Sequence, residues 1–146
     1  GRAPWPATKA RAIEIFRKWD ADAMIDATPA GAPGEVTIAA FAPEWRRVEG
    51  FDFRSCGGGR EDLLANLAIA LETGALKLPG TYERPAFPVL TSELDGFEYE
   101  ILPSGRARAR AGPNLNDDTV MALALAVWKA KHLGGGYVPS LRHLPR

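Results

Sequence analysis

The sequence is poor in the residues that build disulfides and zinc sites. It contains one cysteine, Cys56, and two histidines, His132 and His143. One cysteine excludes an internal disulfide and fits a reducing compartment, and neither histidine stands at a spacing typical of zinc ligands. No apolar run reaches the roughly 18 residues of a membrane-spanning helix, and the first residues lack the apolar core of a signal peptide. The sequence therefore indicates a globular domain without a transmembrane segment.

The sequence also lacks an excess of charge of either sign. Lys and Arg number 18 together, as do Asp and Glu, so the formal net charge is zero. Because no global field attracts DNA or an anionic membrane, any such binding must come from local patches. No Gly-rich loop ends in Lys followed by Ser or Thr, which excludes a P-loop within these 146 residues. We expect one domain over residues 1–133 and a C-terminal tail over 134–146.

The spacing of apolar residues predicts an α/β domain in which helices and strands alternate. The helices are predicted at 7–19, 60–73, 90–94 and 117–131, and the strands at 23–25, 48–54, 75–78, 97–102 and 106–110. Gly74 is placed to end the second helix, and 97–102 with 106–110 makes a β-hairpin. We expect the strand 23–25 to lie inside the sheet. The residues predicted to be buried are Ile13, Phe16, Leu63, Leu67, Leu123 and Val127.

Segment 35–45 fits two structures. Its β-branched residues Val36, Thr37 and Ile38 favour a strand. The spacing of Ile38, Phe41 and Trp45 favours a helix instead.

The first candidate site residue is Asp26, at the end of the strand 23–25. The loop after it, 26–34, is rich in Gly and Pro. A strand, an acid and a Gly-rich loop in this order can present a carboxylate at the carboxyl edge of a sheet, where sites tend to form. The alternative, which this segment taken alone favours, is an Asx-type turn between Asp26 and its own backbone.

An acid pair, Asp117 and Asp118, stands where a loop marked by Gly112 and Pro113 becomes the last helix. The N–H groups and the dipole of a helix start favour negative charge. The structural interpretation makes Asn116 the N-cap and both acids favourable first-turn residues.

Four segments together resemble the nuclease domain of viral large terminase subunits. In chain order they are Met24–Gly31, Gly50–Arg54, Ser92–Tyr99 and Asn116–Ala126. The resemblance covers about residues 3–131 and rests on the order and spacing of the segments. Two departures are present, since Asn116 stands where a His is usual and Pro29 replaces the first Gly of its motif. The resemblance favours a helix over 35–45.

This resemblance implies a ribonuclease H-like mixed sheet flanked by helices and a two-metal phosphodiesterase site. Its ligands for Mg²⁺ or Mn²⁺ would be Asp26, Asp117 and Asp118. It further implies a phage or prophage protein in the host cytoplasm, which cuts concatemeric double-stranded DNA with little sequence preference. The implied partners are the terminase ATPase domain, the small terminase subunit and the portal protein, with no membrane. Relatives carry a first catalytic Asp on a strand upstream of the equivalent of Ala7, so the printed chain is expected to lack N-terminal strands and one ligand, and thus to cut little.

Five arginines are candidates for contact with DNA. Arg106, Arg108 and Arg110 alternate with Ala, so in a strand their side chains would share one face. They would lie along a phosphate backbone, or they would keep an edge strand soluble. Arg54 and Arg60 flank the loop Ser-Cys-Gly-Gly-Gly, where relatives often carry a Ser-Lys pair near the DNA, and this sequence does not preserve that pair.

A second function class fits the same residues. The chain could be a non-catalytic or truncated ribonuclease H-like module that binds DNA or a packaging partner without cutting. A strand ending in Asp within roughly fifty residues upstream would favour the enzyme.

Overall fold

The computed structural model describes residues 4–28, 38–54, 59–78, 87–101, 107–112 and 116–132. These ranges contain four helices and four strands, with a further helical turn at 38–41. In chain order they are α1 (Trp5–Trp19), β1 (Ala23–Asp26), β2 (Val48–Phe51), α2 (Gly59–Glu72), α3 (Pro88–Asp95), β3 (Phe97–Ile101), β4 (Ala107–Ala111) and α4 (Asp118–His132). The predicted α/β class is confirmed. The predicted tail over 134–146 lies outside the described residues.

The strands form two separate pairs in the described part of the chain. β1 and β2 are parallel, with Ala23 opposite Val48 and Asp26 opposite Phe51. β3 and β4 form the predicted antiparallel hairpin. Among the described strands β1 pairs with β2 alone, so the expectation that it lies inside a sheet is wrong for this part of the chain. A single mixed sheet is likewise not seen there.

Helix α1 packs against the parallel strand pair through its buried residue Ile13. The helix begins two residues before the predicted start, because Pro6 fits a first helical turn, whose N–H groups need no intrahelical partner. It ends at Trp19, and the residue that caps it, Asp20, has a left-handed backbone with φ 48°. The chain then turns into β1, and the indole of Trp45 donates a hydrogen bond to the carbonyl of Ala21 at 2.9 Å.

Helices α2 and α4 pack against each other and form the larger core. Its buried residues are Phe51, Leu63, Leu64, Leu67, Val120, Ala124 and Leu125. Burial of Ile13, Leu63 and Leu67 is confirmed, whereas Phe16, Leu123 and Val127 are only half-buried. The buried face of α4 is the one that carries Val120, Ala124 and Leu125, because this helix packs against β1 and α3 as well as against α2. Periodicity finds the apolar stripe but not the direction of every neighbour.

Two predicted strand segments are shorter or absent for local reasons. Gly74 has φ +69° and ends α2 as predicted, but the N–H of Leu76 then bonds back to the carbonyl of Ala70 at 2.8 Å. Residues 75–78 therefore bend away after the helix and do not form a strand. β2 stops at Phe51 because the side chain of Asp52 accepts a hydrogen bond from the N–H of Arg54 at 2.8 Å and turns the chain.

The described part of segment 35–45 is helical at residues 38–41, as the resemblance predicted. The carbonyl of Phe41 accepts hydrogen bonds from the N–H groups of Glu44 and Trp45 at 2.9 and 2.8 Å. α3 includes the predicted 90–94 and extends it by a few residues at each end. Among the described helices, each is too short or too polar to cross a bilayer.

A candidate acidic cleft at the carboxyl end of β1

Three elements converge where β1 ends. The carboxyl end of β1, the start of α2 and the start of α4 line a cleft of about 560 Å³, here called the acidic cleft. Its polar lining comes from Asp26, Arg60, Asp117 and Asp118, and its apolar lining includes Met24, Phe53, Met121 and Leu125. The structure thus places all three sequence-predicted acids around one cleft, although about 90 residues separate the first from the pair.

Asp26 occupies the position at which β1 turns into the next loop. Its Oδ1 atom accepts a hydrogen bond from the N–H of Thr28 at 2.8 Å, which is the Asx-type turn of the structural interpretation. The hydroxyl of Thr28 in turn accepts a hydrogen bond from the N–H of Phe53 at 3.2 Å, so the turn is tied to the segment after β2. The two interpretations of Asp26 are compatible, because a turn through one oxygen still leaves the carboxylate in the lining of the cleft.

Arg60 enters the cleft from the first turn of α2. Gly59 precedes it with φ +57°, and a Cβ on this glycine would lie 2.3 Å from the carbonyl oxygen of Phe53. A side chain here would clash with the backbone of Phe53, so this position next to Arg60 requires glycine. Arg60 forms a salt bridge with Asp117, whose side chain is 24% exposed. This partner was not predicted from the sequence, which had assigned Arg60 to DNA.

Asp117, and not the predicted Asn116, is the N-cap of α4. Its carbonyl oxygen accepts the first helical hydrogen bond, from the N–H of Met121 at 2.8 Å. Asp118 is the first residue of the helix and is exposed. Because the salt bridge holds the Asp117 carboxylate towards α2, the two adjacent acids have different surroundings: one is paired with a cation, and the other is exposed.

Glu93 holds the start of α4 beside the cleft, and it was not predicted from the sequence. It lies in α3, is 7% exposed, and its Oε2 accepts hydrogen bonds from the N–H and hydroxyl of Thr119 at 2.8 and 2.5 Å. A third bond comes from the N–H of Val120 at 3.2 Å. Burial raises the pKa of the Glu93 carboxyl, but these hydrogen bonds outweigh it and bring the pKa below its ordinary value. No local pattern signals this contact, since 26 residues separate Glu93 from Thr119.

The donor chemistry of the cleft fits a hard divalent cation. Carboxylate oxygens are the ligands that Mg²⁺ and Mn²⁺ prefer, and the cleft has three of these side chains. Their arrangement is open: within the described ranges, no three side chains of the ligand-forming types stand close enough together to hold an ion. The pairing of Asp117 with Arg60 contributes to this open arrangement, because it commits one of the carboxylates to another cation.

The hairpin arginines lie only partly within the described residues. Arg106 lies outside the described residues, while Arg108 and Arg110 belong to β4. The register places Arg108 opposite Glu100 and Arg110 opposite Glu98. Arg54 is exposed at the turn after β2.

Comparison with solved structures identifies relatives of this architecture. The large terminase nuclease from thermophilic phage G20c, solved with bound cobalt, superposes with a TM-score of 0.65 at 25% identity over 87% of this chain and 63% of that one. The chain has the architecture of phage terminase nucleases. The same nuclease with bound magnesium gives a TM-score of 0.65, and the Thermus phage P74-26 large terminase nuclease domain gives 0.61, also at 25% identity. The resemblance drawn from the sequence is therefore confirmed.

The similarity has defined limits. The chain spans 60–63% of the length of these terminase nucleases, while 86–87% of it is matched. No protein-family model matches the sequence. No curated protein matches it either. The two G20c structures hold cobalt and magnesium, so that terminase nuclease binds divalent metal ions.

Proposed function

We propose that this chain is the endonuclease domain, or most of it, of a phage DNA-packaging terminase. Its reaction would be metal-dependent hydrolysis of phosphodiester bonds in concatemeric double-stranded DNA. The observation that carries the proposal is the meeting of Asp26, Asp117 and Asp118 around one cleft in a chain with the architecture of terminase nucleases. The fold implied by this function is ribonuclease H-like.

Each acid has a proposed role that reflects its surroundings. Asp26 and Asp118 would be ligands of Mg²⁺ or Mn²⁺, since neither is engaged by a cationic side chain among the described residues. Asp117 would join them when it leaves Arg60. In a two-metal site the ions supply a nucleophilic water at neutral pH and stabilise the leaving oxygen. The Asx-type turn orients Asp26, and the position of Asp117 as the N-cap of α4 orients the acid pair.

The substrate would be held by cationic groups near the acids. Arg60 is half exposed at the cleft and can donate to a phosphate oxygen, and a guanidinium suits that geometry. Arg54, Arg106, Arg108 and Arg110 complete the proposed DNA surface.

The proposed function also implies a further metal ligand and partner proteins. A further acidic ligand would come from a strand beside β1, whose second edge has no partner among the described strands. The ATPase domain, the small terminase subunit and the portal protein would be its partners in the host cytoplasm. The second candidate, a module that binds DNA or a packaging partner without cutting, is favoured by the open arrangement of the acids within the described ranges.

A cleavage assay separates the two candidates. Supercoiled plasmid is incubated with Mn²⁺ and a chain extended upstream to include the proposed further acid, alongside its Asp118→Asn variant. The enzyme predicts nicked and linear products from the parent and their loss in the variant, because Asn keeps the size of Asp and removes its charge. A parent that shifts the plasmid in a gel without cutting it supports the binding module. Equal cutting by parent and variant contradicts the assigned role of Asp118.

A further inference from the structure

The Asp117 carboxylate does not cap its own helix, although Asp117 is the N-cap residue of α4. An N-cap Asp ordinarily accepts a hydrogen bond from the N–H two or three positions later. In α4 those donors belong to Thr119 and Val120, and both point at Oε2 of Glu93, at 2.8 and 3.2 Å. The Asp117 carboxylate instead lines the acidic cleft and pairs with Arg60.

We propose that Glu93 is a positioning residue: it caps α4 from a neighbouring helix and thereby holds the Asp117 carboxylate in the acidic cleft. Two carboxylates compete for the same pair of N–H groups, and only one of them is needed there. The one that does not cap the helix is available to a cation. The part of this inference that concerns a metal ion rests on the proposed function. The capping of α4 by Glu93 in place of the Asp117 carboxylate does not.

The surroundings of Glu93 explain why it, and not Asp117, accepts the hydrogen bonds of these N–H groups. It is buried, and its neighbours Leu90 and Leu94 in α3 pack against the main core. The hydroxyl of Thr119 adds a third hydrogen bond to the same oxygen, at 2.5 Å. Asp117 is more exposed than Glu93 and has a salt bridge as its alternative. A buried carboxylate without partners would be costly, so the bonds to α4 also satisfy Glu93 itself.

Removal of the Glu93 carboxylate should draw Asp117 out of the acidic cleft. The N–H groups of Thr119 and Val120 would lose their partner, and the Asp117 carboxylate is the nearest acceptor that an N-cap geometry provides. Asp117 would turn onto its own helix and leave Arg60. The acidic cleft would then keep Asp26 and Asp118 and lose the third carboxylate.

The first test uses the metal-free chain, so that it does not depend on cation binding. The carboxyl ¹³C resonance of Asp117 is measured with and without Arg60→Gln, in the wild type and in the Glu93→Ala and Glu93→Gln backgrounds. We expect Arg60→Gln to shift this resonance in the wild type and in Glu93→Gln, whose amide oxygen can still cap α4. We expect no shift in Glu93→Ala. A shift of equal size in Glu93→Ala overturns the proposal.

Two further variants guard this test. Glu44→Ala removes a glutamate that pairs with Lys9, so it should leave the response of Asp117 to Arg60→Gln unchanged. If Glu93→Ala does not fold, Glu93→Asp replaces it, because its carboxylate is one methylene too short to reach α4. Loss of the response in Glu93→Asp supports the proposal, and a full response contradicts it.

The second test measures Mg²⁺ binding alone by titration of amide chemical shifts. We expect Glu93→Ala and Asp117→Asn to weaken Mg²⁺ binding by the same factor, and the double variant to bind no more weakly than either. Independent effects would multiply, which contradicts the proposal. If the wild type shows no Mg²⁺ binding at all, the proposed metal-dependent function fails, while the metal-free resonance test still decides the role of Glu93.

Discussion

Arg60 and Asp117 form a salt bridge that joins the first turn of α2 to the N-cap of α4, although 57 residues separate them in the sequence. The guanidinium is the cation at the wall of a cleft that also holds Asp26 and Asp118. Arg60 therefore places a positive charge beside one of the three acids that line the cleft.

Arg60→Gln should leave the fold nearly as stable and increase the response to metal. The pair is partly exposed, so its loss should cost less than about 1 kcal/mol. Without the guanidinium the cleft keeps its negative charge, and Mg²⁺ should raise the melting temperature more than in the wild type. Thermal unfolding with and without Mg²⁺ measures both effects.

Arg11→Gln is the matched control, because Arg11 pairs with Glu14 on the exposed side of α1. It should not change the metal-induced shift of the melting temperature. If Arg60→Gln behaves like Arg11→Gln, the salt bridge with Asp117 has no bearing on cation binding.

Leu67→Ala should destabilise the domain by about 2–5 kcal/mol, the usual range for a buried Leu truncation. Leu67 is 3% exposed in the core between α2 and α4, so its loss would leave a cavity. Ile69 lies two positions later in the same helix and is 57% exposed. Ile69→Ala should cost no more than about 0.5 kcal/mol. Denaturant titration of both variants checks the packing of α2, and equal losses would contradict it.

The sequence predicts the elements around the cleft better than the contacts between them. The periodicity of α2 and the glycine at its end are local signals, and both Gly74 and the burial of Leu67 were found from them. The strand predicted at 75–78 was wrong because a few apolar residues after a helix fit a strand as well as the turn that follows a helix.

Contacts across the fold carry no such local signal. Asp26, Asp117 and Asp118 were identified by resemblance, and the structure brings them to one cleft without drawing them, within the described ranges, into a closed ligand set. The bond between Glu93 and α4 depends on how α3 packs, which composition and spacing do not encode. The same holds for the choice of Arg60 as partner of Asp117.

Glu93 should make the stability of the metal-free domain depend on pH. Its pKa in the folded state lies below the ordinary value of 4.5. A depressed carboxyl pKa contributes stability that is present above the unfolded value and is lost as the pH falls through the folded value. Glu93→Gln should therefore be less stable than the wild type at pH 7, because hydrogen bonds to a charged oxygen are the stronger ones. The difference should begin to shrink as the pH falls below about 4.5 and should vanish once the pH is below the folded pKa of Glu93. A difference in unfolding free energy that stays constant with pH would contradict this.

Replacing Arg106, Arg108 and Arg110 together by Ala tests the proposed DNA surface. If they contact phosphates, DNA affinity should fall and the salt dependence of binding should flatten, by up to about one unit of slope for each lost contact. Fluorescence anisotropy at several salt concentrations provides the slope. An unchanged slope would assign the arginines to strand pairing and solubility.

We propose that the three acids around the cleft form a cation site. Its most direct test is the shift in melting temperature that Mn²⁺ causes in the wild type, Asp26→Asn and Asp118→Asn, with Glu72→Gln as the control at the far end of α2. We predict a rise in the wild type and in Glu72→Gln, and its loss in both Asn variants, which should remain folded. A rise of equal size in Asp118→Asn would contradict the account.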